Sequence, residues 1–85
     1  MKIIERKNER NDCEFKFDNG AWVKISIDDS ESGSWEYQSD EDDEETYSEG
    51  GLWFETSWLV DYDGCYELPK EVLMALHELG YKEEL

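Results

Sequence analysis

Six consecutive carboxylates, Asp40-Glu41-Asp42-Asp43-Glu44-Glu45, are the residues of this chain whose type and spacing could do chemistry. That chemistry is electrostatic. In extended chain such side chains follow one another at ~3.3 Å per residue, and one strand of duplex DNA presents a phosphate every ~3.4 Å of axis. A protein channel that has Lys and Arg for a phosphate backbone could therefore accept this run. The run does not stand alone: residues 28–67 hold fifteen acids and no Lys or Arg, while residues 1–27 hold six bases against five acids. The formal charge of −16 is thus almost wholly the middle of the chain. Self-repulsion of that size opposes the compact state, so it calls for a compensating purpose such as solubility or a cationic partner.

Other chemistries fit less well. Asp61-Tyr62-Asp63-Gly64 with Glu67 looks like part of a calcium loop. Neither that segment nor Asp40–Glu45 has the required order of oxygen ligands around a central Gly and a closing Glu. Cys13, Cys65 and the sole histidine, His77, leave a tetrahedral zinc site one ligand short. His77 falls late in a C-terminal helical pattern, where the helix dipole favours it without any catalytic role. The carboxylates are loop acids in water, lacking the apolar pocket that makes a general acid. The reading is a protein that is not an enzyme, with no cofactor and no metal. Two cysteines make no disulfide framework and suit a reducing cytosol. The start, Met1 to Arg6, has no apolar stretch of signal-peptide length, and no run reaches the length of a membrane span. The expected location is cytoplasmic, without membrane contact.

Eighty-five residues are read as a single domain, 1–85. Asn19-Gly20 between alternating apolar runs predicts a hairpin. A three-residue loop, Asp18-Asn19-Gly20, pairs Phe17 with Ala21, Phe15 with Val23 and Cys13 with Ile25, so that all apolar residues share one face. The same register sets Glu14 opposite Lys24 as an ion pair, and Lys16 opposite Trp22 as a cation–π contact. Trp35 to Tyr37 and Leu52 to Trp58 read as further strands, the second with Leu52, Phe54 and Thr56 inward. Lys2 to Lys7 is a weaker one. Pro69 opens a helix at its first position, Val72, Ala75, Leu76 and Leu79 form its apolar stripe, and Gly80 ends it, with Tyr81 folding back onto Leu76. The fold class is α+β: an antiparallel sheet of four or five short strands with one C-terminal amphipathic helix packed on one face. Acidic loops are expected at about 28–33 and 39–51.

A single helix cannot cover both faces of a sheet, so Trp22 and Trp53 face away from it. Trp35, Tyr37, Tyr47 and Trp58 fall in or beside the acidic region. Charge steers a partner and aromatics hold it. The expected contact residues are Asp28, Asp29 and Glu31; Trp35, Glu36 and Tyr37; the run Asp40, Glu41, Asp42, Asp43, Glu44 and Glu45; and Tyr47 and Glu49.

In its length, its acid run, its basic-free window and its lack of a catalytic signature, the chain resembles the small acidic phage-encoded inhibitors of bacterial defence, among them anti-CRISPR and anti-restriction proteins that mimic DNA. The resemblance is compositional and covers the middle half of the chain. It implies acidic side chains that occupy the nucleic-acid channel of a basic nuclease or CRISPR effector complex in the host cytoplasm, without direct binding of nucleic acid. Such a protein is expected as a monomer, with a dimer as the alternative. Two neighbouring readings are an immunity protein or antitoxin against a basic nuclease toxin, and an acidic adaptor for a basic cellular protein.

Overall fold

The computed structural model describes residues 1–83. Seven strands form one sheet whose spatial order is the chain order: β1 (Ile3–Glu9), β2 (Asp12–Phe17), β3 (Trp22–Ile27), β4 (Ser32–Gln38), β5 (Tyr47–Glu55), β6 (Trp58–Tyr62) and β7 (Lys82–Glu83). Neighbours are antiparallel except β6 and β7, which run parallel. The helix α1 (Lys70–Glu78) packs on one face, chiefly against β3. The class is α+β, with more strands than the four or five expected.

The added strands have a local cause. Leu52 to Trp58 is a hairpin rather than one strand: Thr56 and Ser57 take φ values of 48° and 68° and reverse the chain between β5 and β6. Both central residues of such a turn ordinarily call for Gly, Asn or Asp, so Thr-Ser gave no signal of it. Thr56 is accordingly exposed in the turn and not on the inner face. The acidic segment 39–51 is also loop only in its first part. It tightens into a 3₁₀ turn at Glu44–Thr46, and from Tyr47 onward it is β5, paired to β4.

The β2–β3 hairpin has the predicted register, with Cys13 opposite Ile25, Phe15 opposite Val23 and Lys16 opposite Trp22. The loop closes through Phe17 N–H to the Ala21 carbonyl at 3.0 Å, with Gly20 left-handed at φ 89°. Strand alternation then sends Phe15, Phe17, Val23, Ile25, Trp35, Leu52, Phe54 and Leu59 to one side, where Val72, Ala75 and Leu76 of α1 and Leu68 complete the core. Burial of each of the larger of these side chains contributes roughly 1.5–3 kcal/mol. Pro69 caps α1 instead of opening it. At the other end the Gly80 and Tyr81 N–H groups bond back to the His77 and Leu76 carbonyls at 3.0 and 2.9 Å, as a left-handed glycine terminator allows. Tyr81 thus folds back to Leu76 through its backbone, and its ring stacks on Phe54, centroids 4.3 Å apart.

Trp35 corrects an expectation. It is fully buried, and its Nε1 donates to the Asp63 carbonyl at 3.1 Å. It sits on the inward side of a central strand, directly below the turn Asp63-Gly64. That turn lies so close to β5 that a Cβ on Gly50 would strike the Asp63 carbonyl and one on Gly64 the Glu49 carbonyl. Glycine at both positions is what lets the lid over Trp35 close.

Candidate functional site: the acidic half of the outer face

The register that buries the apolar side chains also fixes the opposite face. Across β1 to β5 one row reads Lys7, Glu14, Lys24, Glu36, Glu49. Signs alternate until Glu36, which then faces a like charge in Glu49, a destabilising cross-strand pair. Lys24 lies 3.6 Å from Asp12 and 3.8 Å from Glu36, and Lys16 lies 3.6 Å from Glu5 and 3.3 Å from Glu41. These pairs replace the expected Glu14–Lys24 ion pair and Lys16–Trp22 contact, because each ammonium finds two carboxylates on flanking strands or loops. Lys24 is the last base in the row.

Beyond it the outer face carries Glu49, Tyr47, Trp53, Glu55, Trp58 and Asp61. Tyr47, Trp53 and Trp58 are 40%, 42% and 41% exposed, too open to be core residues. The Tyr47 hydroxyl lies 2.7 Å from Glu36 Oε1 and 2.6 Å from Glu49 Oε2. Those two carboxylates raise its pKa, Glu49 most. One hydroxyl has one proton, so it can donate to only one of them. At the far margin Lys82 stands over the Trp58 ring, 5.5 Å from its centroid, so this indole already receives a cation.

The acid run lies at one end of this half and is not extended. Asp40 Oδ1 accepts from Asp42 N–H and Asp43 Oδ1 from Glu45 N–H, each at 3.0 Å. Thr46 Oγ1 donates to the Asp43 carbonyl at 2.7 Å, and Glu41 is anchored by its N–H to the Gly20 carbonyl as well as by Lys16. A 3₁₀ turn rises only ~2.0 Å per residue, so the one-to-one spacing with phosphates expected of an extended run does not hold. Asp40, Asp43 and Glu41 are occupied by the loop itself. Asp42, Glu44 and Glu45 are exposed and, among the described residues, have no side-chain hydrogen bond or ion pair.

The other expected contacts scatter. Asp28, Asp29 and Glu31 occupy the β3–β4 turn, the opposite end of the seven-residue β4 from the acid run, about 23 Å away at ~3.3 Å per residue. Asp29 is a turn former: it accepts from Glu31 N–H at 2.8 Å and Ser32 N–H at 2.9 Å, which hold its carboxyl below the usual range, Glu31 foremost. Tyr37 faces inward, half-buried, and donates to Glu71 Oε2 at 2.9 Å, and burial first and Glu71 second push its pKa up to about 12. Trp35 and Tyr37 therefore leave the contact set. Glu36, Tyr47 and Glu49 are joined by Trp53, Glu55, Trp58 and Asp61. Period-two alternation through Trp53 and Glu55 was the signal for the first two; Trp58 and Asp61 needed the hidden turn.

Chemically this half can attract and hold cationic groups, with carboxylates for hydrogen bonds and indole faces for stacking. An open groove of about 770 Å³ beside it, lined by Glu31, Trp53, Glu55, Thr56, Ser57 and Tyr81 among others, has the same character. Among the described residues no three His, Cys, Asp or Glu side chains converge to hold a metal ion. No helix among them is long and apolar enough to cross a membrane. No protein-family model matches the chain, and comparison with curated proteins and with solved structures gives no match.

Proposed function

We propose that this protein is an acidic inhibitory binding protein that occupies the basic nucleic-acid-binding surface of a nuclease or CRISPR-type complex. One observation carries the reading: bases are interspersed with acids on the outer face of β1 to β3, whereas β4 to β6 carry Glu36, Glu49, Glu55 and Asp61 there with no base on any of the three strands. Uncompensated like charge disfavours folding, and a basic partner supplies the missing counter-charge. The mimicry is then of charge distribution over a surface, combining Glu36, Glu49, Glu55 and Asp61 with Asp42, Glu44 and Glu45, and not of one extended phosphate strand. Trp53 and Tyr47 supply the stacking that holds guanidinium groups in place, while Trp58 is already covered by Lys82.

The test is capture from a bacterial lysate on the immobilised protein, with duplex DNA as competitor. Basic nucleic-acid-binding proteins should be retained, displaced by added DNA, and released as salt rises. Retention of proteins indifferent to both DNA and salt would refute the reading.

A further inference from the structure

We infer that two copies of this chain pair through the free edge of β1, antiparallel and centred on Arg6. β1 is the first strand of the sheet and, among the described residues, has a neighbour on one side only. Which of its backbone groups face that open side follows from the next hairpin. Phe17 N–H bonds to the Ala21 carbonyl and Ile27 N–H to the Asn11 carbonyl, each at 3.0 Å, so odd-numbered residues of this stretch turn toward β3. Even-numbered ones turn toward β1, as Asp18 N–H does in bonding to the Lys2 carbonyl at 3.0 Å. The β1 partners of those residues are Glu5, Lys7 and Glu9. Arg6 and Asn8, between them, therefore direct N–H and C=O outward, unpaired.

Three symmetric registers use these groups. Centring on Asn8 sets Lys7 against Glu9 but runs off the strand, placing Arg6 against Arg10, a left-handed turn residue at φ 57°. Centring on Lys7 sets Lys7 against Lys7 and Glu5 against Glu9, like charges throughout. Centring on Arg6 sets Glu5 of each copy against Lys7 of the other, at non-hydrogen-bonded positions where side chains approach most closely. Arg6 meets Arg6 on the inner side, where each guanidinium is already held 3.0 Å from its own Glu78. The Arg6-centred register is thus the one that pairs opposite charges while staying within the strand. Exposed Ile4, 59% open and the extra residue of a bulge between Ile3 and Glu5, flanks the ladder and limits it to a few residues.

Net charge argues for this edge over any other surface. Residues 1–27 are close to neutral, with six bases and five acids. The basic-free strands begin three strand spacings away at β4, about 14 Å at ~4.8 Å each, beyond the ~8 Å screening length at physiological salt. Two highly acidic chains can meet here without opposing their acidic halves, which end up at the distal ends of the pair.

Sedimentation analysis over a concentration series decides the matter. The unaltered chain should dimerise. Glu5→Lys and Lys7→Glu should each weaken the dimer at least tenfold, because each puts like charges together, and the double variant should restore it, because it rebuilds the pair with signs exchanged. Arg6→Pro removes an outward N–H without touching the β1–β2 ladder, so it should abolish dimerisation while circular dichroism shows an intact fold. A chain that stays monomeric at millimolar concentration overturns the inference. So does a dimer indifferent to the two single reversals and to Arg6→Pro, or one that the double variant fails to restore.

Discussion

The two halves of the outer face are built by the same alternation on the same sheet, yet they use charge in opposite ways. On β1 to β3, acids and bases are interspersed, and Lys16 and Lys24 each reach two carboxylates. On β4 to β6, Glu36 faces Glu49 across the ladder, and among the described residues Glu55 and Asp61 form no ion pair. Acids that the fold needs have donors: Asp29, Asp40 and Asp43 order turns, and Glu71 ties α1 to Tyr37 and Asn19. On the outer face of β4 to β6 the acids stand without interspersed bases. Under the proposed function, a sheet that intersperses bases on one half and leaves the other without them has separated its folding from its recognition.

The largest test of that separation uses two tryptophans. Trp35→Ala empties the core and should cost ~3–5 kcal/mol in urea melts, whereas Trp53→Ala, on the exposed acidic half, should cost under ~1 kcal/mol while weakening partner capture. Comparable losses of stability would mean the outer aromatics belong to the fold.

Tyr37→Phe should cost ~1.5–3 kcal/mol, since it removes a hydrogen bond to a buried carboxylate. Tyr37 also predicts a pH dependence. Its folded pKa is raised from an ordinary 10 to about 12, so the stability it lends is full below about 10 and declines as pH rises toward about 12. Melting temperatures across that window should fall less steeply in Tyr37→Phe than in the unaltered chain. Equal slopes would show that the Tyr37–Glu71 contact contributes nothing to folding.

A smaller effect should come from the β5–β6 turn. Thr56 and Ser57 hold left-handed backbone, at φ 48° and 68°, which costs L-residues with side chains about 1–2 kcal/mol each. The double change Thr56→Asn, Ser57→Gly suits this turn and should stabilise the protein by ~1–2 kcal/mol. Loss of stability on that change would place the reversal elsewhere and undo the assignment of Trp58 to the outer face.

What could be read in the sequence followed strong local signals. The Asn19-Gly20 loop had one register that kept Phe15, Val23, Cys13 and Ile25 on a single face, and Gly80 stops α1 where its apolar stripe ends. The failures share a cause as well. Thr56-Ser57 reverses the chain without a turn residue, so β6 and its Trp58 were hidden. Proximity in sequence put Trp35 beside acids that strand alternation sends to the opposite face. An acid run in sequence also does not say which carboxylates the backbone will use: Asp40 and Asp43 bond to N–H groups two residues on, which no composition reveals.

The central claim, that the acids of the base-free half are kept for a basic partner, is tested most directly by two variants of equal charge change. Asp42→Asn, Glu44→Gln, Glu45→Gln removes acids beside β4 and β5, and Glu9→Gln, Asp12→Asn, Glu14→Gln removes as many from β1 and β2. The measurement is DNA-competed capture of basic proteins from a bacterial lysate, at fixed salt. Capture should drop at least tenfold for the first variant and stay within about twofold for the second, with both folded. Equal loss in the two would reduce the effect to net charge and contradict the account.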